Sequence, residues 1–158
     1  MRVHSPALTN TKYLPTKYAT KQVRGGQNIS LPVKWEDVPG GTKSFVLSII
    51  DRHPIANNWV HWYVLNIPPS TREIPEGASG DTLRLPAGSM ELRNSFGGPG
   101  YGGPQPPRGS GPHEYAVTVY ALNVESLSLG LGSTPDECLN ALEGTVLASA
   151  TAVGIFEQ

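Results

Sequence analysis

Ile29, Leu31, Val33 and Trp35 alternate with Ser30, Pro32, Lys34 and Glu36, the period-two pattern of a strand with one buried face. Pro32 predicts an edge or bulged position, since proline cannot donate to a sheet ladder. After the turn residues Pro39-Gly40-Gly41, the run 45–50 (Phe-Val-Leu-Ser-Ile-Ile) is apolar on both faces and reads as a central strand that delivers Asp51 at its end. The run 59–67 reads as a second central strand. Simple alternation there puts Trp59, His61, Tyr63, Leu65 and Ile67 on one face and Val60, Trp62, Val64 and Asn66 on the other, with Pro68-Pro69 as the stop. A short strand is expected over 81–85, a third central strand over 115–122 and a closing strand over 150–156.

One helix is predicted. Thr134-Pro135-Asp136-Glu137 combines an N-cap threonine, a proline at the first helical position and a glutamate three residues after the cap. The apolar stripe Leu139, Leu142, Val146 and Leu147 carries the expected helix to about residue 147, with Gly144 costing it about 1 kcal/mol. Between the second and third central strands, 94–112 is rich in glycine and proline. Phe96 and Tyr101 give it aromatic anchors, so an ordered, functional loop is expected rather than a linker.

Composition sharpens this picture. Glycine (18) and proline (15) make up about a fifth of the 158 residues, against roughly an eighth in average usage, which favours an all-β chain with many turns. The length fits a single domain over 1–158. A formal net charge of −1 gives no field of the kind that holds nucleic acid or an anionic bilayer, so any bound anion must be held by local geometry. The lone Cys138 makes no internal disulfide, and no stretch has the apolar run of a signal peptide or membrane span. A cytoplasmic protein without integral membrane association is expected.

Three segments carry the candidate chemistry: Asp51-Arg52-His53-Pro54, Trp59-Val60-His61-Trp62, and 106–115 (Pro-Pro-Arg-Gly-Ser-Gly-Pro-His-Glu-Tyr). Asp51, His53, His61 and His113 as residue types suit zinc, but no H-x-x-x-H or C-x-x-C pair is present. A hydrolase would need a nucleophile elbow or a cysteine with a histidine close by, and the glycine-rich loop has no Walker lysine-serine ending. No catalytic residue, cofactor or metal is expected.

In order and spacing the three segments resemble the phosphatidylethanolamine-binding protein family, also called the Raf kinase inhibitor family, and its short bacterial and archaeal branch in particular. The likeness extends to Ser5-Pro6-Ala7, Asn66-Ile67-Pro68-Pro69, Asn94-Ser95-Phe96-Gly97 and Gly100-Tyr101-Gly102-Gly103-Pro104. The resemblance implies a sandwich of two antiparallel sheets with a small C-terminal helix. It also implies a non-catalytic pocket for phosphate, acetate or a phospholipid head group such as phosphoethanolamine. The corresponding pocket residues are Asp51, His61, His113 and Tyr115, with backbone groups near Gly109 and Gly111 and the loop aromatic Tyr101. Inhibition of a serine protease or a kinase is the alternative that the resemblance allows, and a homodimer anchored by Trp35, Tyr63 or Phe156 is a further expectation.

Two departures stand out. His53 replaces the second aspartate of the family's D-P-D motif, with Arg52 in place of its proline, and Glu114 replaces the arginine of G-x-H-R-Y. A rewired support is expected in which Arg52 or His53 pairs with Glu114.

Overall fold

The computed structural model describes residues 1–8 and 11–158. Nine elements form its frame: β1 (Arg2–His4), β2 (Val33–Glu36), β3 (Ser44–Asp51), β4 (Val60–Ile67), β5 (Glu73–Ile74), β6 (Met90–Glu91), β7 (His113–Leu122), α1 (Pro135–Leu142) and β8 (Val146–Phe156). They make two antiparallel sheets, one in the order β1-β2-β5 and one in the order β6-β4-β3-β7-β8. The main core lies between the sheets, where Trp35, Phe45, Leu47, Trp62, Val64, Val117 and Val119 meet. A second apolar cluster, including Val46, Tyr63 and Leu65, lies beneath Cys138 and Leu142 of α1. Every residue of β3 is buried, as a strand apolar on both faces requires.

Several expectations are corrected. The segment 81–85 forms a turn, because the Asp81 carboxylate accepts from Leu83 N–H and its carbonyl from Arg84 and Leu85 N–H. The strand carrying Trp35 starts after Pro32 and lies at the centre of its sheet, so the proline's missing donor falls outside the ladder. The Thr134–Glu137 capping box forms as expected. The helix nevertheless stops at Leu142, because Gly144 takes a left-handed φ of 71° and 146–156 is drawn into pairing with β7. Trp35, Tyr63 and Phe156 are buried in the fold, which removes them as anchors for a second subunit.

The simple alternation on β4 also fails. Ile49 pairs with Trp62 and Ile50 with Val60, leaving His61 as an extra residue in a β-bulge. A second irregularity near Asn66, whose φ is 56°, lets Ile67 join Trp62 and Val64 in the main core.

The glycine-rich loop is ordered by bonds at both ends. Gly102 N–H donates to the His61 carbonyl, Tyr101 Oη to the Tyr18 carbonyl at 2.9 Å, and Gly103 N–H to Asn28 Oδ1 at 2.8 Å. Gly103 is required by close approach, since a Cβ there would lie 2.1 Å from the Tyr18 carbonyl oxygen. Gly103→Ala is therefore expected to lower stability by about 2 kcal/mol in urea unfolding, while Gly98→Ala, which meets nothing, changes it by less than about 0.5.

Candidate functional site

The ends of β3, β4 and β7 converge where the bulge, the glycine-rich loop and the 107–111 turn meet. Asp51 closes β3 and pairs in register with Tyr115 of β7, which places His113 two residues away on the same face. His113 Nδ1 lies 2.6 Å from Asp51 Oδ2, and both side chains are almost wholly buried. The other carboxylate oxygen accepts from His53 N–H at 2.8 Å. Both oxygens of Asp51 are thus engaged.

Ser110 braces the other side of the ring: its Oγ donates to the Pro107 carbonyl at 2.6 Å and lies 2.9 Å from His113 Nε2. Asp51 and His113 thus form a buried hydrogen-bonded pair.

His61 is held neutral. Its Nδ1 lies 2.6 Å from the Gly102 carbonyl oxygen, which can only accept, so the proton sits on Nδ1. Burial holds this imidazole below its ordinary 6.5, outweighing the Gly102 carbonyl and the Asp51 charge, which pull the other way. A neutral His61 leaves Nε2 unprotonated, and among the described residues no protein group bonds to it. The bulge explains why this side chain reaches the site: as the unpaired residue of β4, it is turned against Tyr115 and Phe96, with ring centroids 5.1 and 5.6 Å apart.

These groups form the floor of a cavity of about 440 Å³, whose walls are Ile55, Ala56, Trp59, Phe96, Gln105, Pro106 and Pro107. Tyr115 also lines it, with its hydroxyl buried close to Asp51. Burial, and secondarily the Asp51 charge, raise its pKa and keep it protonated as a donor. The mouth is apolar: Ile55, Trp59 and Phe96 are 61, 39 and 45% exposed, well above the usual level for such side chains.

Of the residues expected from sequence, Asp51, His61, His113 and Tyr115 come together around this cavity. Gly109, Gly111 and Tyr101 stand outside its wall: Gly109 N–H donates to the Gln158 carbonyl, and the Tyr101 hydroxyl is engaged with Tyr18. The expected pairing with Glu114 is replaced by other contacts. Arg52 Nη1 donates to Asn58 Oδ1, only the backbone carbonyl of Glu114 accepts from Arg52, and His53 stacks on His113 with centroids 3.9 Å apart at 10°. Ser110 and the apolar rim were missed. Ser110 was legible as a hydroxyl three residues before His113 in a tight turn, whereas the rim joins Ile55 of the turn Pro54–Ala56 to Trp59 and Phe96, which only the fold brings together. Among the described residues, no group of three metal-ligating side chains converges. No helix is long and apolar enough to cross a membrane.

Loss of one partner from a buried pair costs about 3 kcal/mol, because the other is left uncompensated. Asp51→Ala and His113→Ala are each expected to show such a loss in urea unfolding. The double variant is expected to lose much less than the two together, which a thermodynamic cycle would read directly.

The phosphatidylethanolamine-binding protein family model matches residues 4–157. A UPF0098 protein of Aquifex aeolicus is 39% identical over 160 residues, covering 100% of this chain and 89% of its own length. The UPF0098 protein YbhB of Escherichia coli is 38% identical over 132 residues, 83% of each chain. The crystal structure of Escherichia coli YbcL, described as a member of the mammalian PEBP family, superposes with a TM-score of 0.91 at 32% identity, covering 99% of this chain and 98% of that one.

Proposed function

Because the chain belongs to the phosphatidylethanolamine-binding protein family, which is non-catalytic, we propose that it binds a small anionic group at the cavity floor: phosphate, acetate or a phospholipid head group such as phosphoethanolamine. The observation that carries this reading is the state of the floor. Asp51 is engaged by His113 and the His53 N–H, Tyr115 lies buried beside it with its hydroxyl kept protonated, and His61 Nε2 faces the cavity without a proton.

That arrangement makes binding depend on a proton. A fully ionised phosphate offers only acceptors and would meet the lone pair of Nε2. The contact becomes favourable when His61 is protonated or when the ligand oxygen keeps its own proton. Either way one proton joins the complex. The apolar rim of Ile55, Trp59 and Phe96 suits a ligand with an organic tail better than a bare ion. A cytoplasmic setting fits Cys138, which is buried with its thiol pushed up to about 11 by desolvation and so needs no oxidising compartment.

Calorimetric titration with phosphoethanolamine, repeated from about pH 8 to about pH 6, tests the reading. Affinity should rise as pH falls, by up to about tenfold per unit, because a proton is taken up and the free His61 titrates below 6.5. His61→Leu, which can neither gain a proton nor accept one from the ligand, should lose the binding at both pH values. A folded wild type that binds no such ligand would reject the anion site and leave inhibition of a protease or kinase as the reading to pursue.

A further inference from the structure

A second cleft, of about 740 Å³, opens on the other side of the turn Pro54–Ala56 from the anion cavity. Ile55, Ala56 and Trp59 line both, so this segment is the wall between them. The second cleft has Ile50, Val60 and Tyr63 at its floor, on the face of the five-stranded sheet that packs beneath α1. Pro135, Asp136 and Leu139 of α1 form its far side. His61, His113 and Tyr115 take no part in it, so it is independent of the anion site.

Its polar groups are left open. Arg52 and Asp136 bring opposite charges to the cleft, yet among the described residues neither takes part in a salt bridge. The successive left-handed residues Asn57 (φ 49°) and Asn58 (φ 58°) turn the chain so that Asn58 Oδ1 accepts from Arg52 Nη1 at 2.8 Å. That bond fixes the guanidinium and leaves its other N–H groups free to donate. The Ser95 hydroxyl accepts from Val60 N–H at 2.8 Å and, among the described residues, donates to no group. Tyr63 is almost wholly buried, and its hydroxyl has no partner among the described residues. Burial raises the pKa of that hydroxyl, while Arg52 and Asp136 act on it in opposite senses, so both charges lie within its electrostatic reach. Buried hydroxyls are ordinarily bonded, and one left open beside a cleft marks a place for water or a ligand atom.

The exposed side chains Ile55, Trp59 and Leu139 supply the apolar part of the wall. We propose that this cleft binds an apolar zwitterion, an α-amino acid or dipeptide with large aliphatic side chains. Arg52 and the hydroxyls of Ser95 and Tyr63 supply donors for its carboxylate, Asp136 accepts from its ammonium group, and its side chain packs on Ile55, Trp59 and Leu139. Each open group then has a partner of the right sign. A sugar would use the same polar groups but would lay its own hydroxyls against Ile55 and Leu139, which is why an aliphatic ligand fits better. The volume falls within the range of about 300–1,000 Å³ found for small-molecule sites and admits either form of the ligand.

Backbone amide shifts of the full chain, followed by NMR as L-leucine or L-leucyl-L-leucine is added to about 10 mM, read the occupancy. Saturable changes are expected at 52–60 and 135–139, and the tighter of the two probes tells the amino acid from the dipeptide. Isocaproate, which lacks the ammonium group, and isoamylamine, which lacks the carboxylate, should each bind at least about fivefold more weakly than leucine. Arg52→Gln, which can still donate to Asn58, and Asp136→Asn, at an exposed position, should each weaken the zwitterion by at least about fivefold while urea unfolding stays within about 0.5 kcal/mol of wild type. Absence of saturable shifts with both probes, shifts centred on 113–115 instead, or either variant binding as tightly as the wild type would overturn the proposal.

Discussion

The site depends on one buried contact, the 2.6 Å hydrogen bond between Asp51 and His113. It joins the end of β3 to the start of β7 and engages a carboxylate beside the cavity. His53 N–H and Ser110 Oγ complete the bonding on either side. With both carboxylate oxygens engaged, the groups left to meet a ligand are Tyr115 and His61. The decisive charge change lies with His61, a residue that reaches the cavity because β4 carries one residue more than its partner strand.

Most of the frame was legible because its strands are extreme cases. The run 45–50 and the strand around Tyr115 are apolar on both faces, and no other element accommodates that pattern without exposing it. The capping box at Thr134 was equally plain. Strict alternation failed where backbone irregularity intervened: the bulge at His61 reverses the faces of β4, and bulges leave little mark in composition. The helix was overextended because Val146 and Leu147 fit a helical stripe as well as a strand, and the competition was decided by pairing with a distant partner.

The four floor residues were legible through motif order, which reflects the shared geometry of the strand ends. The rim was not, since Ile55, Trp59 and Phe96 come from a turn, a strand entry and a loop that only the fold brings together. The departures at Arg52, His53 and Glu114 show the limit of reasoning by charge exchange. Opposite charges at matching motif positions suggested an ion pair, but the short turn at Pro54 directs His53 onto the His113 ring and Arg52 toward Asn58. The support of His113 is therefore aromatic stacking and hydrogen bonding rather than a second salt bridge.

The central claim is that the floor accepts an anion only together with a proton. Calorimetry of phosphoethanolamine binding at about pH 8, where the phosphate is almost fully ionised, in two buffers of different ionisation enthalpy, measures that proton directly. The account predicts uptake of about one proton for each ligand bound. Saturable binding whose heat is the same in both buffers after correction for dilution would show that no proton enters, and would contradict it.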